Sequence, residues 1–333
     1  MSNLRTIFYD DQADTSLLEE KTIGVIGYGA QGRAQARMLF ESGVKVVVGV
    51  REGGKSWTQA QEDGLPVKPI SEVAEQADII HILIPDEHQK EIYSQEIEPK
   101  LKPGKIISFS HGFNIVFERI KPQEGVGVIM VAPKAPGSEE YKEYRRGFGV
   151  PALIAVEKET SDNSAKSIAL AMAKAMFFTK AGVMEATFAE ETYEDLFGEQ
   201  AVLCGGCTAL IKAGFEVLTE AGYPPEFAYF ECLHEMKLIV DLLYEGGMEK
   251  MWEVVSNTAE YGGLTRGERV ITPLVKEAMK GILKEVENGQ FAKEFVEEVE
   301  VNNFKNMLDM RRKEGEHPIE VVGESIRSMF AKS

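Results

Sequence analysis

Short apolar runs alternate with helical spacing over the first half of the chain. Residues 22–26, 45–50, 78–84, 105–110, 127–132 and 152–156 are stretches dominated by Ile, Val and other apolar residues. Such runs suit strands of a parallel sheet covered on both faces. Between them, 30–42, 89–97 and 114–120 carry apolar positions at helical spacing. This is the βαβ rhythm of an open α/β sheet. Past Gly182 the strand-like runs vanish, and long helical patterns follow at 187–215, 225–245, 248–258, 272–288 and 291–312. The expectation is an α/β domain over 1–182 and an all-helical domain over 183–331. A chain of 333 residues is also too long for one ordinary core.

Chemistry enters at the end of the first strand. Residues 22–32 read TIGVIGYGAQG, with Gly27, Gly29 and Gly32 in the GxGxxG pattern between a strand and a helix. That context marks a Rossmann-type dinucleotide site: a tight turn, a close backbone approach to a pyrophosphate, and a helix N-terminus facing the anion. An enzyme choosing NAD usually carries Asp or Glu at the end of the next strand. Here Arg51 stands there, followed by Lys55 and Ser56, groups that suit a 2′-phosphate. Glu52 beside Arg51 leaves NADH open. Ligands of such sheets gather at strand carboxyl ends. Polar or Gly/Pro turns fall there at 85–89, at 110–112 with His111, and at 133–137 with Lys134. His111 is the acid/base candidate, and Lys134 a group to orient substrate or cofactor.

The helical half carries two carboxylate pairs at helical spacing, Asp195 with Glu199 and Glu231 with Glu235. Residues four apart share a helix face. Oxygen-only donors favour magnesium or manganese over zinc. Solvated acidic faces are the plain alternative. Glu231 and His234 also have di-iron spacing, but a second such pair on a helix is missing.

The charge balance narrows the partners. With 37 basic and 54 acidic residues the net charge is −17, which argues against nucleic acid. No basic start followed by an apolar run marks a signal peptide, and no apolar stretch reads as a membrane span, so a soluble, cytoplasmic protein is expected. Cys204, Cys207 and Cys232 read as reduced thiols. The run Cys204-Gly-Gly-Cys207 reads as small residues at a close helix contact.

Seven stretches carry a resemblance: 25–32 (VIGYGAQG), 108–114 (SFSHGFN), 131–134 (VAPK), 147–155 (GFGVPALIA), 195–206 (DLFGEQAVLCGG), 228–235 (AYFECLHE) and 256–262 (SNTAEYG). In these the chain resembles the ketol-acid reductoisomerase family, in its short form with one helical domain. The resemblance implies a knotted helical C-terminal domain, NADPH as cofactor with NADH left open, and two Mg²⁺. It implies that Asp195, Glu199, Glu231 and Glu235 hold the metal and that Ser256 touches a 2-hydroxy-3-keto acid substrate. It assigns His111 to the active site. It places Tyr28, Gly29, Ala30, Gln31, Arg51, Gly54, Ser56, Asp86, Glu87, His88, Gln89 and Gly137 around the cofactor. The family often has serine where this chain has Gly54. Residues 135–142 replace the Gly-Pro-Gly-His turn of many short-form members. The resemblance also implies that Glu231, Glu235 and Ser256 come from a second subunit, which makes a homodimer the minimum unit. The alternatives are a β-hydroxyacid dehydrogenase-type NADP oxidoreductase and an NADP-sensing module.

Overall fold

Alternation of buried Ile and Val runs with amphipathic helices produces the expected open sheet. The computed structural model describes residues 5–330; the first four residues of the N-terminal stretch and the end of the helical domain lie outside them. The chain divides into two compact units, 1–194 and 195–333.

The first unit is built on nine strands: β1 (Ile7–Phe8), β2 (Thr22–Ile26), β3 (Lys45–Gly49), β4 (Val67–Lys68), β5 (Ile79–Ile82), β6 (Ile106–Phe109), β7 (Gly127–Pro133), β8 (Ala152–Lys158) and β9 (Val183–Glu185). Their order is β1-β9-β8-β7-β6-β5-β2-β3-β4. The chain runs outward from β2 to β4, then returns to β5 on the other side of β2. That reversal makes a switch point between β2 and β5, where open α/β sheets bind ligands. β5, β6 and β7 are buried along their whole length. The sheet is not all parallel as expected: β8 runs antiparallel to β7, and β1 to β9. β9 also falls beyond Gly182, where strands were expected to stop. At three residues it is too short to print a periodicity, as are the two-residue β1 and β4.

Helices of this unit are α1 (Ala30–Glu41), α2 (Lys55–Glu62), α3 (Ile70–Gln76), α4 (Asp86–Ile92), α5 (Phe113–Val116), α6 (Gly137–Arg145), α7 (Ala165–Ala175), α8 (Phe178–Ala181) and α9 (Phe188–Gly198), the last crossing into the second unit. The helix expected over 114–120 stops at Val116, and Glu118 takes a left-handed φ of 52°.

The second unit is all-helical: α10 (Gly205–Glu220), α11 (Pro225–Tyr229), α12 (Glu235–Val254), α13 (Asn257–Val270), α14 (Pro273–Glu287), α15 (Gln290–Glu300), α16 (Lys305–Gly315) and α17 (Pro318–Phe330). Two wide π-type turns, Glu199–Leu203 and Phe230–His234, join α9 to α10 and α11 to α12. Two expected helices are corrected. The pattern over 248–258 crosses a helix end: α12 stops at Val254, and the Ser256 hydroxyl caps α13 by accepting from the Ala259 N–H at 3.2 Å. The pattern over 291–312 is two helices, broken where Asn303 and Phe304 take left-handed φ values of 49° and 62°.

This unit has a small core of Phe215, Ala228, Tyr229, Ile319 and Ile326. Large apolar side chains stay outside it, among them Leu203, Tyr244, Met248 and Leu274. The run Phe188–Glu220 is long and apolar enough, by length and composition, to cross a membrane. That corrects the expectation that no such stretch exists. Its apolar character is spread among small residues, which hid it.

Candidate active site

Strand β2 ends in the glycine turn, and each glycine has a distinct job. Gly27 takes a φ of 102°, a conformation that favours glycine, and a Cβ there would sit 2.8 Å from the Leu83 carbonyl. A Cβ on Gly32 would meet the Gly27 carbonyl at 2.4 Å, so α1 packs against the turn only without a side chain. Around Gly29 no described atom lies within 4 Å of such a Cβ. Gly29 and Ala30 are exposed, and no side chain among the described residues caps the start of α1. An uncapped helix N-terminus with open space in front of it fits the pyrophosphate of a dinucleotide.

Gly32→Ala is therefore expected to weaken NADPH binding at least tenfold and to destabilise the unit by about 1–3 kcal/mol, because the obstacle is backbone. Fluorescence titration with NADPH and a thermal melt check both. Wild-type values would remove Gly32 from the site.

The turn is tied to the next loop. The Tyr28 hydroxyl donates to Asp63 Oδ2 at 2.9 Å, and Arg33 clamps both Asp63 oxygens at 2.7 and 2.8 Å. Burial, then the Asp63 bond, push the Tyr28 hydroxyl pKa well up, while Arg33 holds the Asp63 carboxyl below its ordinary value. Asp63 ends α2, whose first residues are Lys55 and Ser56 and whose cap is Gly54. Arg51 and Glu52 are exposed just before it. At the end of β5, Gln89 holds the turn rather than facing out. Its amide donates to the Ile84 carbonyl and to Asp86 Oδ1, both at 3.0 Å, and its oxygen accepts from Asn114. Glu87 is half-buried and His88 exposed on α4. Gly137 starts α6, and a Cβ there would meet the Ala30 carbonyl at 2.5 Å, so its smallness lets α6 approach α1.

At the ends of β6 and β7 the structure brings His111 and Lys134 together through a residue the sequence pattern did not single out, Glu191. This carboxylate is 2% exposed. His111 Nδ1 lies 3.2 Å from Glu191 Oε2, the Gly112 N–H donates to the same oxygen at 3.3 Å, and Lys134 Nζ lies 3.4 Å from Oε1. Lys134 also pairs with Glu194 at 2.7 Å. Burial alone would raise the Glu191 pKa. The His111 hydrogen bond and charge, the Lys134 charge and the Gly112 N–H outweigh it and keep the group below the ordinary range. A buried, ionised carboxylate thus fixes the imidazole and the ammonium. The available signal was spacing: Glu191 precedes Asp195 by one turn of α9, on the same face.

The remaining carboxylates belong to the second unit. Asp195 is half-buried on α9, and Glu199 opens the first wide turn. Glu231 lies within the second wide turn, and Glu235 follows it. Glu199, Glu231, Glu235 and Ser256 are exposed. A donor set made only of carboxylate oxygens fits a hard divalent cation such as Mg²⁺.

A glycine turn at a sheet switch point, a Glu-held His and Lys, and acidic helices define a nicotinamide-dinucleotide oxidoreductase with a helical second domain. Residues 17–182 match the family model for the acetohydroxy acid isomeroreductase NADPH-binding domain, and 188–332 that for the ketol-acid reductoisomerase C-terminal domain. The chain is similar to a ketol-acid reductoisomerase (NAD(+)) of uncultured archaeon GZfos26G2, 57% identical over 98% of this chain and 99% of that one. It is similar to a ketol-acid reductoisomerase (NADP(+)) of Methanosphaera stadtmanae, 58% identical over 96% and 97%. A solved NADH-preferring ketol-acid reductoisomerase from an uncultured archaeon superposes with a TM-score of 0.94 at 57% identity, covering 98% of this chain and 100% of that one. The chain belongs to the ketol-acid reductoisomerase family, and it is an oxidoreductase with isomerase activity.

Proposed function

We propose that this enzyme converts 2-acetolactate to 2,3-dihydroxy-3-methylbutanoate, and 2-aceto-2-hydroxybutanoate to its ethyl homologue, in valine and isoleucine biosynthesis. The observation that carries the reading is the buried Glu191 holding His111 and Lys134 at strand ends, in a chain whose two halves both match the family. The match over the helical half leaves the dehydrogenase and sensor alternatives without support.

Gly27, Gly29 and Gly32, with Tyr28, Ala30 and Gln31, would hold the dinucleotide phosphates. Arg51, Gly54, Lys55 and Ser56 would hold its 2′ end, and Asp86 to Gln89 and Gly137 would flank it. Asp195, Glu199, Glu231 and Glu235 would hold two Mg²⁺, and Ser256 would contact substrate. When bound, Mg²⁺ supplies Lewis acidity to substrate oxygens and the dinucleotide supplies the hydride. His111, fixed through Nδ1 by Glu191, orients substrate and moves a proton. Lys134 keeps positive charge beside it. The functional boundary is placed at 182/183, where the first family match ends. Relatives named for NAD(+) and for NADP(+) are nearly equally similar, so identity does not set the cofactor. Arg51, Lys55 and Ser56 favour NADPH.

The apolar side chains left outside the small second core favour a homodimer, and they account for the run Phe188–Glu220 as an interface rather than a span. The enzyme acts in the cytoplasm.

The test is NADPH oxidation with 2-acetolactate, with and without Mg²⁺, repeated with NADH, alongside sedimentation. Oxidation that needs Mg²⁺, from a dimer or larger assembly, is expected. No oxidation with Mg²⁺ present would overturn the reaction, and a fully active monomer would overturn the shared site.

A further inference from the structure

The Cys204-Gly-Gly-Cys207 run has a use that the thiols do not explain. All three cysteines are free. The glycines sit just after the wide turn that Glu199 opens. There the Cys204 N–H donates to the Glu199 carbonyl, five residues back, at 3.0 Å. The next two carbonyls of this turn lie close against the glycines. The Gln200 oxygen lies 2.2 Å from where a Gly205 Cβ would be, and the Ala201 oxygen 2.1 Å from where a Gly206 Cβ would be. Both obstacles are backbone, so they yield only if the turn itself moves.

A wide turn does not by itself demand glycine. The turn Phe230–His234 closes with the Glu235 N–H on the Phe230 carbonyl, and Met236 and Lys237 stand where Gly205 and Gly206 stand. The glycine pair is therefore particular to the Glu199 turn. That turn also leaves Gln200 Nε2 buried without a partner among the described residues, so it is held at a cost. Single π-type turns inside α-helices occur often at functional sites.

We propose that Gly205 and Gly206 are positioning residues for the metal: by admitting the Gln200 and Ala201 carbonyls they keep the turn wide, and so set the direction of Glu199 relative to Asp195. This rests on the reading of those carboxylates as metal ligands. A Cβ at either glycine displaces a carbonyl of the turn and swings Glu199 away.

The test is Mn²⁺ binding to the full enzyme, followed by electron paramagnetic resonance, for Gly205→Ala, Gly206→Ala and Asp195→Asn. NADPH affinity and far-UV circular dichroism serve as controls. The glycine variants are expected to bind Mn²⁺ at least tenfold more weakly, with NADPH affinity within twofold and dichroism unchanged. A folded glycine variant with wild-type Mn²⁺ affinity overturns the proposal. If Asp195→Asn also keeps wild-type affinity, the ligand reading itself fails; if it alone loses affinity, only the glycine proposal does. Should the glycine variants not fold, amide hydrogen exchange of the wild type decides. Mg²⁺ is expected to slow exchange at the Cys204 N–H, and an unchanged rate overturns the proposal.

Discussion

Asp195→Asn is expected to lower isomerisation of 2-acetolactate about a thousandfold while leaving NADPH affinity within twofold. Asn keeps the volume of Asp and one oxygen but removes the charge. Asp195 lies one turn beyond Glu191, whose own charge is already committed to His111, Lys134 and the Gly112 N–H. Glu191 is therefore poorly placed to replace it as an anionic donor. Metal-assisted charge stabilisation is worth several kcal/mol in a transition state, and about 4 kcal/mol corresponds to roughly a thousandfold in rate. The glycine turn that would hold NADPH belongs to another part of the chain, which makes cofactor affinity the internal control. The measurement is steady-state turnover across a Mg²⁺ titration, beside a fluorescence titration with NADPH. A variant that keeps more than a tenth of the wild-type rate at saturating Mg²⁺ would remove Asp195 from the metal set.

Periodicity made the centre of the sheet legible and its edges not. β2, β3, β5, β6 and β7 are continuous apolar runs because both faces are covered, and such runs stand out in a sequence. β1, β4 and β9 span two or three residues each and leave no period to detect. The direction of β8 was likewise hidden, since a buried run looks the same in either orientation. In the helical unit, apolar spacing found helix faces but not ends. The ends at Ser256 and at Asn303–Phe304 are set by a cap and by left-handed backbone, which spacing does not report.

The site was legible where a motif fixes backbone geometry. Gly27 and Gly32 have the strained conformation and the close approach that the glycine pattern demands. Glu191 was not legible, because an acidic residue in the first turn of a helix usually serves the helix dipole. Its neighbour Glu190 does serve the helix end: it accepts from the Thr187 N–H at 2.9 Å, while its own N–H donates to the Thr187 hydroxyl. Only the fold, by bringing the ends of β6 and β7 to α9, separates the two roles. Gln89 and Gly137 show the converse, since residues that family likeness assigns to a cofactor also hold a turn and a helix contact.

Glu140→Gln is expected to stabilise the protein at pH 8 by roughly 3–5 kcal/mol and to leave it nearly unchanged at pH 4.5. Glu140 is fully buried on α6, and among the described residues neither carboxyl oxygen has a hydrogen-bond partner. Burial outweighs the opposing influence of the nearby Gln35 side chain and pushes the pKa up to about 8. Gln35 is itself engaged: its oxygen lies 2.7 Å from His81 Nε2, and its amide donates to the Ser110 hydroxyl at 3.2 Å. Burial pushes the His81 pKa down to about 4, so this ring is neutral and offers no compensating charge. A raised acid pKa means that the folded state keeps a proton which the unfolded chain has released above its ordinary value of 4.5. The stability due to that proton is complete below about 4.5 and drains away as pH climbs through about 8. Gln has nearly the same shape and no proton to lose, so the variant should lack this downward slope. Thermal or urea unfolding of both proteins at pH 5, 6.5 and 8 measures it. The gap between variant and wild type should widen with each step. Parallel curves would mean that Glu140 keeps an ordinary pKa in the folded protein and is not the neutral buried acid that its surroundings require.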